Sequence, residues 1–352
     1  MKDVLPELDA CTAAGAEVAL GMVVGVKRSA PRPPGAKMAI NDRGDVSGAV
    51  SGGCVEGAVV QIAQEVLETG VPRLETFGIE DDEAWDVGLP CGGEITVFVS
   101  RHGHEEFARL AREGGRGALV TLIEGEPLGA TVLVRADGTT AGTLGAPERD
   151  ATATAAALEL MWLERSEARE AGDATLFVDV VHPAPRIVAV GAVDFARQLC
   201  TVARALGWRP FVVDPRGFFA RPDRFPEAEE VVTAWPQEGF AQLGIDRATA
   251  IAILTHDPKL DDAAVLAALA SDADYIGAMG SRKTQADRHE RLLSQGVSEA
   301  ALERVAAPIG LDLGALTAEE TALSIMAEVI AVRHGRGGGR LRDSAGRIHD
   351  VG

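Results

Sequence analysis

The sequence predicts an α/β protein in two parts, an N-terminal α+β domain followed by a doubly wound parallel sheet. Three observations lead there. Short β-branched runs alternate with amphipathic stretches along the chain. The alternation contains no repeating βαβ unit up to residue 181, then becomes strand–helix–strand from residue 186 onward. Between the two regimes lies His182-Pro183-Ala184-Pro185, whose two prolines disfavour helix and mark an extended linker.

In the first part, residues 18–26 read as a strand that runs into the proline-rich turn Ser29-Ala30-Pro31-Arg32-Pro33-Pro34-Gly35-Ala36-Lys37-Met38. A helix with apolar periodicity starts at Cys54-Val55-Glu56 and ends near Thr69-Gly70. Ile95, Val97 and Val99 alternate within a strand at 94–100. Residues 118–123 and 130–135 are further strands, with turns at Gly125 and Asp137-Gly138. An alanine-rich helix covers 150–165, a charged helix end or turn covers 164–172, and 174–181 is the last strand.

In the second part, strands are expected at 186–190, 210–213, 230–233, 249–254, 274–279 and 304–307. Helices are expected at 195–206, 261–270, 284–293 and 318–333. Six strands alternating with helices imply a Rossmann-like, doubly wound parallel sheet. The predicted domains are residues 1–181, a linker at 182–185, the Rossmann-like domain at 186–334 and a flexible tail at 335–352.

Composition narrows the function classes. A chain of 352 residues can hold two independent cores, and 46% apolar with 25% charged residues is ordinary for a soluble protein. Aromatic residues make up only 4%, so aliphatic side chains and alanine must fill those cores. The formal net charge of −19 argues against nucleic acid as a partner. The clearest basic cluster, Arg336 to Arg347, is glycine-rich and terminal and reads as a mobile tail. Four cysteines make no disulfide scaffold, and Cys11 and Cys200 read as core packing. Neither a bilayer-length apolar run nor a signal-peptide pattern stands out, so no membrane partner and a cytoplasmic location with reduced thiols are expected.

Two cysteines stand in matching glycine settings, Ser51-Gly52-Gly53-Cys54-Val55-Glu56 and Leu89-Pro90-Cys91-Gly92-Gly93-Glu94. Glycine pairs let backbone N–H groups converge on a ligand, and a thiol there can be a nucleophile or a soft metal ligand. The expected helix places Cys54 in its first turn, where the macrodipole favours a thiolate and a bound anion. Gly52, Gly53, Cys54, Cys91 and Gly92 are therefore candidate ligand contacts, and both cysteines are candidate neighbours of a metal. The plainer alternative is two tight turns beside small buried thiols. Arg32 and Lys37 flank the proline turn as phosphate contacts or as surface charges. A zinc site fits less well, because the cysteines form no paired C-x-x-C motif and His102 and His104 make only a loose cluster.

In a doubly wound sheet, ligands bind outside the carboxyl ends of the strands. Gly191-Ala192-Val193-Asp194-Phe195-Ala196 has the place of a G-x-G-x-x-G/A turn, but Val193 replaces the second glycine and Asp194 adds negative charge. A dinucleotide site and a simple strand–helix turn both remain open there. Asp214 follows Gly191 by 23 residues, a spacing suited to ribose hydroxyls, or it pairs with Arg216. His256, in Thr255-His256-Asp257, is an acid/base, a ligand or a turn residue. Gly280-Ser281-Arg282-Lys283-Thr284 opens a helix and resembles a phosphate-binding turn, with Ser281, Arg282 and Lys283 as the contacts. It is not a Walker A loop, since Arg282 stands where glycine is required.

The chain resembles the XdhC/CoxI family of molybdenum hydroxylase accessory proteins over nearly its whole length. The resemblance rests on the proline-rich turn, on the two cysteine segments, on Tyr275-Ile276-Gly277-Ala278-Met279-Gly280-Ser281-Arg282-Lys283-Thr284, on Pro308-Ile309-Gly310-Leu311-Asp312 and on Glu319-Glu320-Thr321-Ala322. It implies an N-terminal XdhC/CoxI domain and a C-terminal Rossmann domain. It also implies a protein that binds the molybdenum cofactor (molybdopterin or its dinucleotide form), shields it during sulfuration and delivers it to a xanthine-dehydrogenase-like or CO-dehydrogenase-like apoenzyme. A cysteine desulfurase and a second copy of the chain are the further partners it implies. The expected arrangement sets metal near Cys54 and Cys91 and phosphate near the Rossmann strand ends.

Three functions compete. The first is this cofactor-binding maturation factor, which has no catalytic residue and no turnover of its own. The second is an NAD(P)-dependent oxidoreductase with Cys54 or His256 at the reacting centre, which the Val193 replacement disfavours. The third is a scaffold whose sites bind nothing, which the cysteine segments disfavour.

Overall fold

The computed structural model describes residues 1, 4–27, 31–78 and 93–343. They form two compact units, one up to Pro183 and one from Ala184 onward. The mixed α/β class and the C-terminal parallel sheet are as expected from the sequence.

The N-terminal unit is built twice. The first copy runs α1 (Leu5–Ala13), β1 (Val18–Lys27), β2 (Lys37–Asn41), β3 (Val46–Gly48), α2 (Glu56–Thr69), β4 (Arg73–Phe77) and β5 (Glu94–Arg101). The second runs α3 (Glu105–Arg112), β6 (Gly117–Glu124), β7 (Thr131–Arg135), β8 (Thr140–Gly142), α4 (Pro147–Leu163), β9 (Glu167–Ala171) and β10 (Ala174–Val181). Each copy makes a five-stranded antiparallel sheet, ordered β3-β2-β1-β5-β4 and β8-β7-β6-β10-β9.

The correspondence extends to single residues. The core residues of α2, Val59, Ala63, Val66 and Leu67, match Ala153, Ala157, Leu160 and Met161 of α4, each 94 positions later. The helices end at Gly70 and Glu164, both left-handed and again 94 apart. Gly48 and Gly142 close the third strands with φ of +78° and +95°. A Cβ would lie 2.3 Å from the Lys37 carbonyl oxygen at the first and 2.4 Å from that of Thr131 at the second, so neither position admits a side chain.

Burial explains the layering. α2 covers one face of the first sheet through Val59, Ala63 and Val66 against Ala19, Val23, Ile95 and Val97. α4 covers the second sheet in the same way. The uncovered faces meet through Met22, Val24 and Phe98 on one side and Ile123 and Phe177 on the other. The segment expected to be a charged helix end or turn contains strand β9, whose Glu167 is buried.

The C-terminal unit comprises β11 (Arg186–Val190), α5 (Asp194–Ala205), β12 (Arg209–Val213), β13 (Glu230–Val232), α6 (Pro236–Leu243), β14 (Thr249–Ile253), α7 (Pro258–Leu269), β15 (Tyr275–Ala278), α8 (Arg282–Ser294), α9 (Glu299–Leu302), β16 (Val305–Ala306) and α10 (Ala318–Arg333). The strands are parallel in the order β13-β12-β11-β14-β15-β16, so the chain reverses direction of winding between β11 and β14. α5 and α10 pack on one face, and α6, α7 and α8 on the other. Glu328 of α10 accepts hydrogen bonds from the Tyr275 hydroxyl and the Gly310 amide, which ties two of the motifs that carry the family resemblance into one core.

Candidate functional site

One end of the first sheet carries the described N-terminal candidates. Lys27 pairs with Glu94 and Met38 with Gly48, so the β1–β2, β3–α2 and β4–β5 connections emerge together. They span residues 28–36, 49–55 and 78–93, whereas the second copy has only 125–130, 143–146 and 172–173. Cys91 and Gly92 lie outside the described residues.

Gly52 and Gly53 adopt φ of +89° and +119°, which turns successive N–H groups inward. They converge on Glu56. Its carboxylate accepts from the amides of Val50, Ser51, Gly52, Gly53 and Val55 at 2.8–3.2 Å, and from the Ser51 hydroxyl. Ser51 Oγ in turn accepts from the Cys54 and Val55 amides at 3.0 and 3.1 Å. Every amide from Val50 to Val55 is thus satisfied inside the loop.

This corrects two expectations. Helix α2 begins at Glu56, so half-buried Cys54 precedes it rather than lying in its first turn. The anion at this helix start is the chain's own carboxylate, which satisfies the otherwise orphan N–H groups. Burial raises the Glu56 pKa, but the hydrogen bonds from the Ser51 hydroxyl and the Ser51 and Gly52 amides outweigh it and bring the carboxyl down to about 2. The sequence displayed Glu56 within the cysteine motif but not its role; an acid opening a helix after paired glycines was the available signal.

Lys37 is not a surface charge. Its ammonium is buried against both Asp179 oxygens at 2.8 Å and the Gly35 carbonyl at 3.0 Å. Buried between this carboxylate and the Gly35 carbonyl, the ammonium is not open to a phosphate. Arg32 donates to the Ala49 carbonyl at 3.4 Å, joining the proline loop to the cysteine loop. His102 and His104 are held below the ordinary imidazole range, chiefly by burial. Among the described residues, no cluster of three His, Cys, Asp or Glu could hold a metal. Cys11 and Cys200 are buried as expected, and burial pushes the Cys200 thiol up to about 12.

In the C-terminal unit the remaining candidates share the carboxyl edge of the sheet. The Leu254 amide donates to Val190 and the Met279 amide to Ile253, which aligns the ends of β11, β14 and β15. Gly191 has φ of +105°, and a Cβ there would meet Thr255 at 3.1 Å, so the glycine turn is pressed against the segment leading to exposed His256. Asp214 is fully buried and saturated. It accepts from the Ala192 amide at 2.7 Å, from Arg216 Nε at 2.9 Å and Nη2 at 2.7 Å, and from the Arg216 amide at 2.9 Å. Burial opposes its ionisation, but Arg216 and the Ala192 amide more than compensate and hold its pKa low. A ribose would have to displace Arg216.

Ser281 caps α8 by accepting from the Thr284 amide at 3.1 Å. Arg282 and Lys283 follow at the first helical positions, exposed, with no acid in the first turn. Two cations against the positive end of a helix are unfavourable on their own, and an anion bound there reverses the sign.

Comparison with known proteins accords with this geometry. Residues 187–329 match the model of the XdhC Rossmann domain. Residues 11–78 and 110–172 match that of the XdhC and CoxI family, and these two stretches fall on the two copies of the N-terminal unit. The chain is 29% identical over 335 residues to a probable xanthine dehydrogenase subunit of Bacillus subtilis, covering 93% of this chain and 96% of that one. It is 27% identical over 321 residues to the molybdenum cofactor insertion chaperone PaoD of Escherichia coli, covering 91% and 84%. Its fold is similar to the crystal structure of a xanthine dehydrogenase from Bacillus halodurans, with a TM-score of 0.64 and 23% identity over 97% of this chain and 98% of the other.

Proposed function

Because the chain belongs to the XdhC and CoxI family, we propose that it binds the molybdenum cofactor, protects it during sulfuration and delivers it to a xanthine-dehydrogenase-like or CO-dehydrogenase-like molybdenum hydroxylase. The observation that carries this is likeness across both units to an insertion chaperone. The cofactor is cargo, a pterin with a phosphate and a soft molybdenum–sulfur centre. Cys54 is a soft donor on a loop made rigid by Glu56, and Cys91 is assigned with it to the metal side. Gly52, Gly53 and Gly92 are assigned with the cysteines; in the C-terminal unit, Ser281, Arg282 and Lys283 are assigned to an anion, the hydroxyl by hydrogen bonding and the two cations by charge. Gly191, Asp214 and His256 line the same strand ends as the cation pair. A dinucleotide form of the cargo, a cysteine desulfurase partner and a homodimer belong to the same reading. An NAD(P) oxidoreductase has less support, because Val193 replaces the glycine that admits a pyrophosphate and Asp214 is already saturated.

The test is to co-express the full chain in a cofactor-producing host, denature it and measure oxidised pterin fluorescence. Pterin is expected with the wild type, and roughly tenfold less with Cys54→Ala, as for loss of a ligand in a metal-cofactor site. No pterin alongside tight, saturable NAD(P) binding would sink the proposal.

A further inference from the structure

We infer that Lys37 and Asp179 form a brace through which the second copy of the N-terminal unit positions the proline loop of the first, and through it the Cys54 loop. The role given to Cys54 rests on the proposed function; the brace itself rests on geometry alone.

The chain of contacts is continuous. Asp179 lies in β10 of the second copy and is buried, as is Lys37. The Lys37 ammonium lies 2.8 Å from both its oxygens, donating to Oδ1, and it also donates to the Gly35 carbonyl. Gly35 has φ of +89°, and a Cβ there would meet Ser166 of the second copy at 3.1 Å, so the loop is seated directly on that copy. The loop then reaches the cysteine loop by Arg32 to the Ala49 carbonyl and by Pro31, which stands 3.9 Å from where a Gly52 Cβ would be.

The brace is one-sided. By sheet register, the place of Lys37 is taken in the second copy by Thr131, and the place of Asp179 in the first by Ser100. The two copies share helix and strand packing but not this ion pair. An apolar pair of similar volume would generally stabilise such a position as well or better. What apolar side chains cannot supply is the directed bond to the Gly35 carbonyl, and that bond serves only the loop. Lys37 and Asp179 are therefore positioning residues.

The test uses the full-length double variant Lys37→Met/Asp179→Leu, which leaves no buried charge unpaired. Its thermal midpoint should stay within a few degrees of the wild type. Amide exchange in the peptide spanning residues 31–37 should rise roughly tenfold while exchange in α4 is unchanged, and alkylation of Cys54 by iodoacetamide should accelerate roughly threefold. Pterin retention should fall about fivefold, in proportion to the competent population. A folded double variant with wild-type loop exchange and wild-type pterin content overturns the brace. If the double variant does not fold, Asp179→Asn is read by the same exchange experiment, and an unchanged loop is again the overturning result. A wild type without pterin overturns the proposed function instead, and loop exchange alone then decides the brace.

Discussion

The two copies in the N-terminal unit share one architecture and differ at one end of the sheet. Strand order, helix register, left-handed helix ends and strand-terminal glycines coincide. The connections do not: the first copy carries the long proline and cysteine segments, and the second closes the equivalent places with short turns. The difference teaches that the α-β-β-β-α-β-β scaffold requires none of the candidate ligand residues. Those residues belong to one copy only, and of the segments that carry them the proline loop is seated on the plain copy, at Asp179 and Ser166.

Parallel substitutions sharpen that comparison. The largest contrast is expected at the brace. Lys37→Met leaves Asp179 buried without a partner and should cost about 3–5 kcal/mol, while Thr131→Val at the matching place should cost under about 1 kcal/mol. Urea unfolding measures both, and equal costs would break the asymmetry. The strand-terminal glycines should behave alike. Gly48→Ala and Gly142→Ala each add a left-handed strain and a collision with a backbone carbonyl, together roughly 3–5 kcal/mol. A tolerated substitution at only one of them would break the duplication.

Next comes the acid that opens the helix. Glu56 accepts five amides and a hydroxyl, whereas Asp150, 94 positions later, accepts the Leu144 amide and the Thr143 hydroxyl. Glu56→Gln should cost about 1.5–3 kcal/mol and Asp150→Asn about half that. Because the Glu56 pKa is depressed in the folded chain, to about 2, its contribution is present above the unfolded value and is lost as pH falls through the folded one. The wild type should therefore weaken between about pH 4.5 and 2, and Glu56→Gln should flatten that limb in acid titrations followed by circular dichroism. The smallest stability effect is expected outside both copies. Arg282→Glu with Lys283→Glu should change stability by no more than about 0.5 kcal/mol while lowering pterin content, and unchanged content would remove the phosphate role.

Elements with strong periodicity were legible in the sequence. Ile95, Val97 and Val99 alternate because one face of β5 meets α2, and the α2 core residues recur at helical spacing. The parallel sheet announced itself through uninterrupted apolar strands buried on both faces. The short strands β3 and β8 carry no such signal, since their residues are largely exposed and their place is set by pairing with β2 and β7. Strand β9 reads as a charged helix end or turn because its buried Glu167 lies among half-buried and exposed charges. The duplication was illegible for a related reason. Between residues 41 and 70 only Gly44, Gly48, Ala63 and Glu65 have the same residue 94 positions later, so the copies match in shape rather than in letters.

The amino-acid sequence by itself determined the fold class, the family and the candidate cysteine and cation segments, because periodicity and short glycine motifs are local properties of a chain. Only the tertiary structure decided what Lys37, Glu56 and Asp214 do. Lys37 is committed to Asp179 in the other copy and Glu56 to six donors of a folded-back loop, neither of which spacing assigned, and Asp214 takes Arg216, which the sequence offered only as an alternative to a ribose, together with the Ala192 amide of the glycine turn. A charge read from sequence is a free charge, and burial is what obliges it to choose a partner.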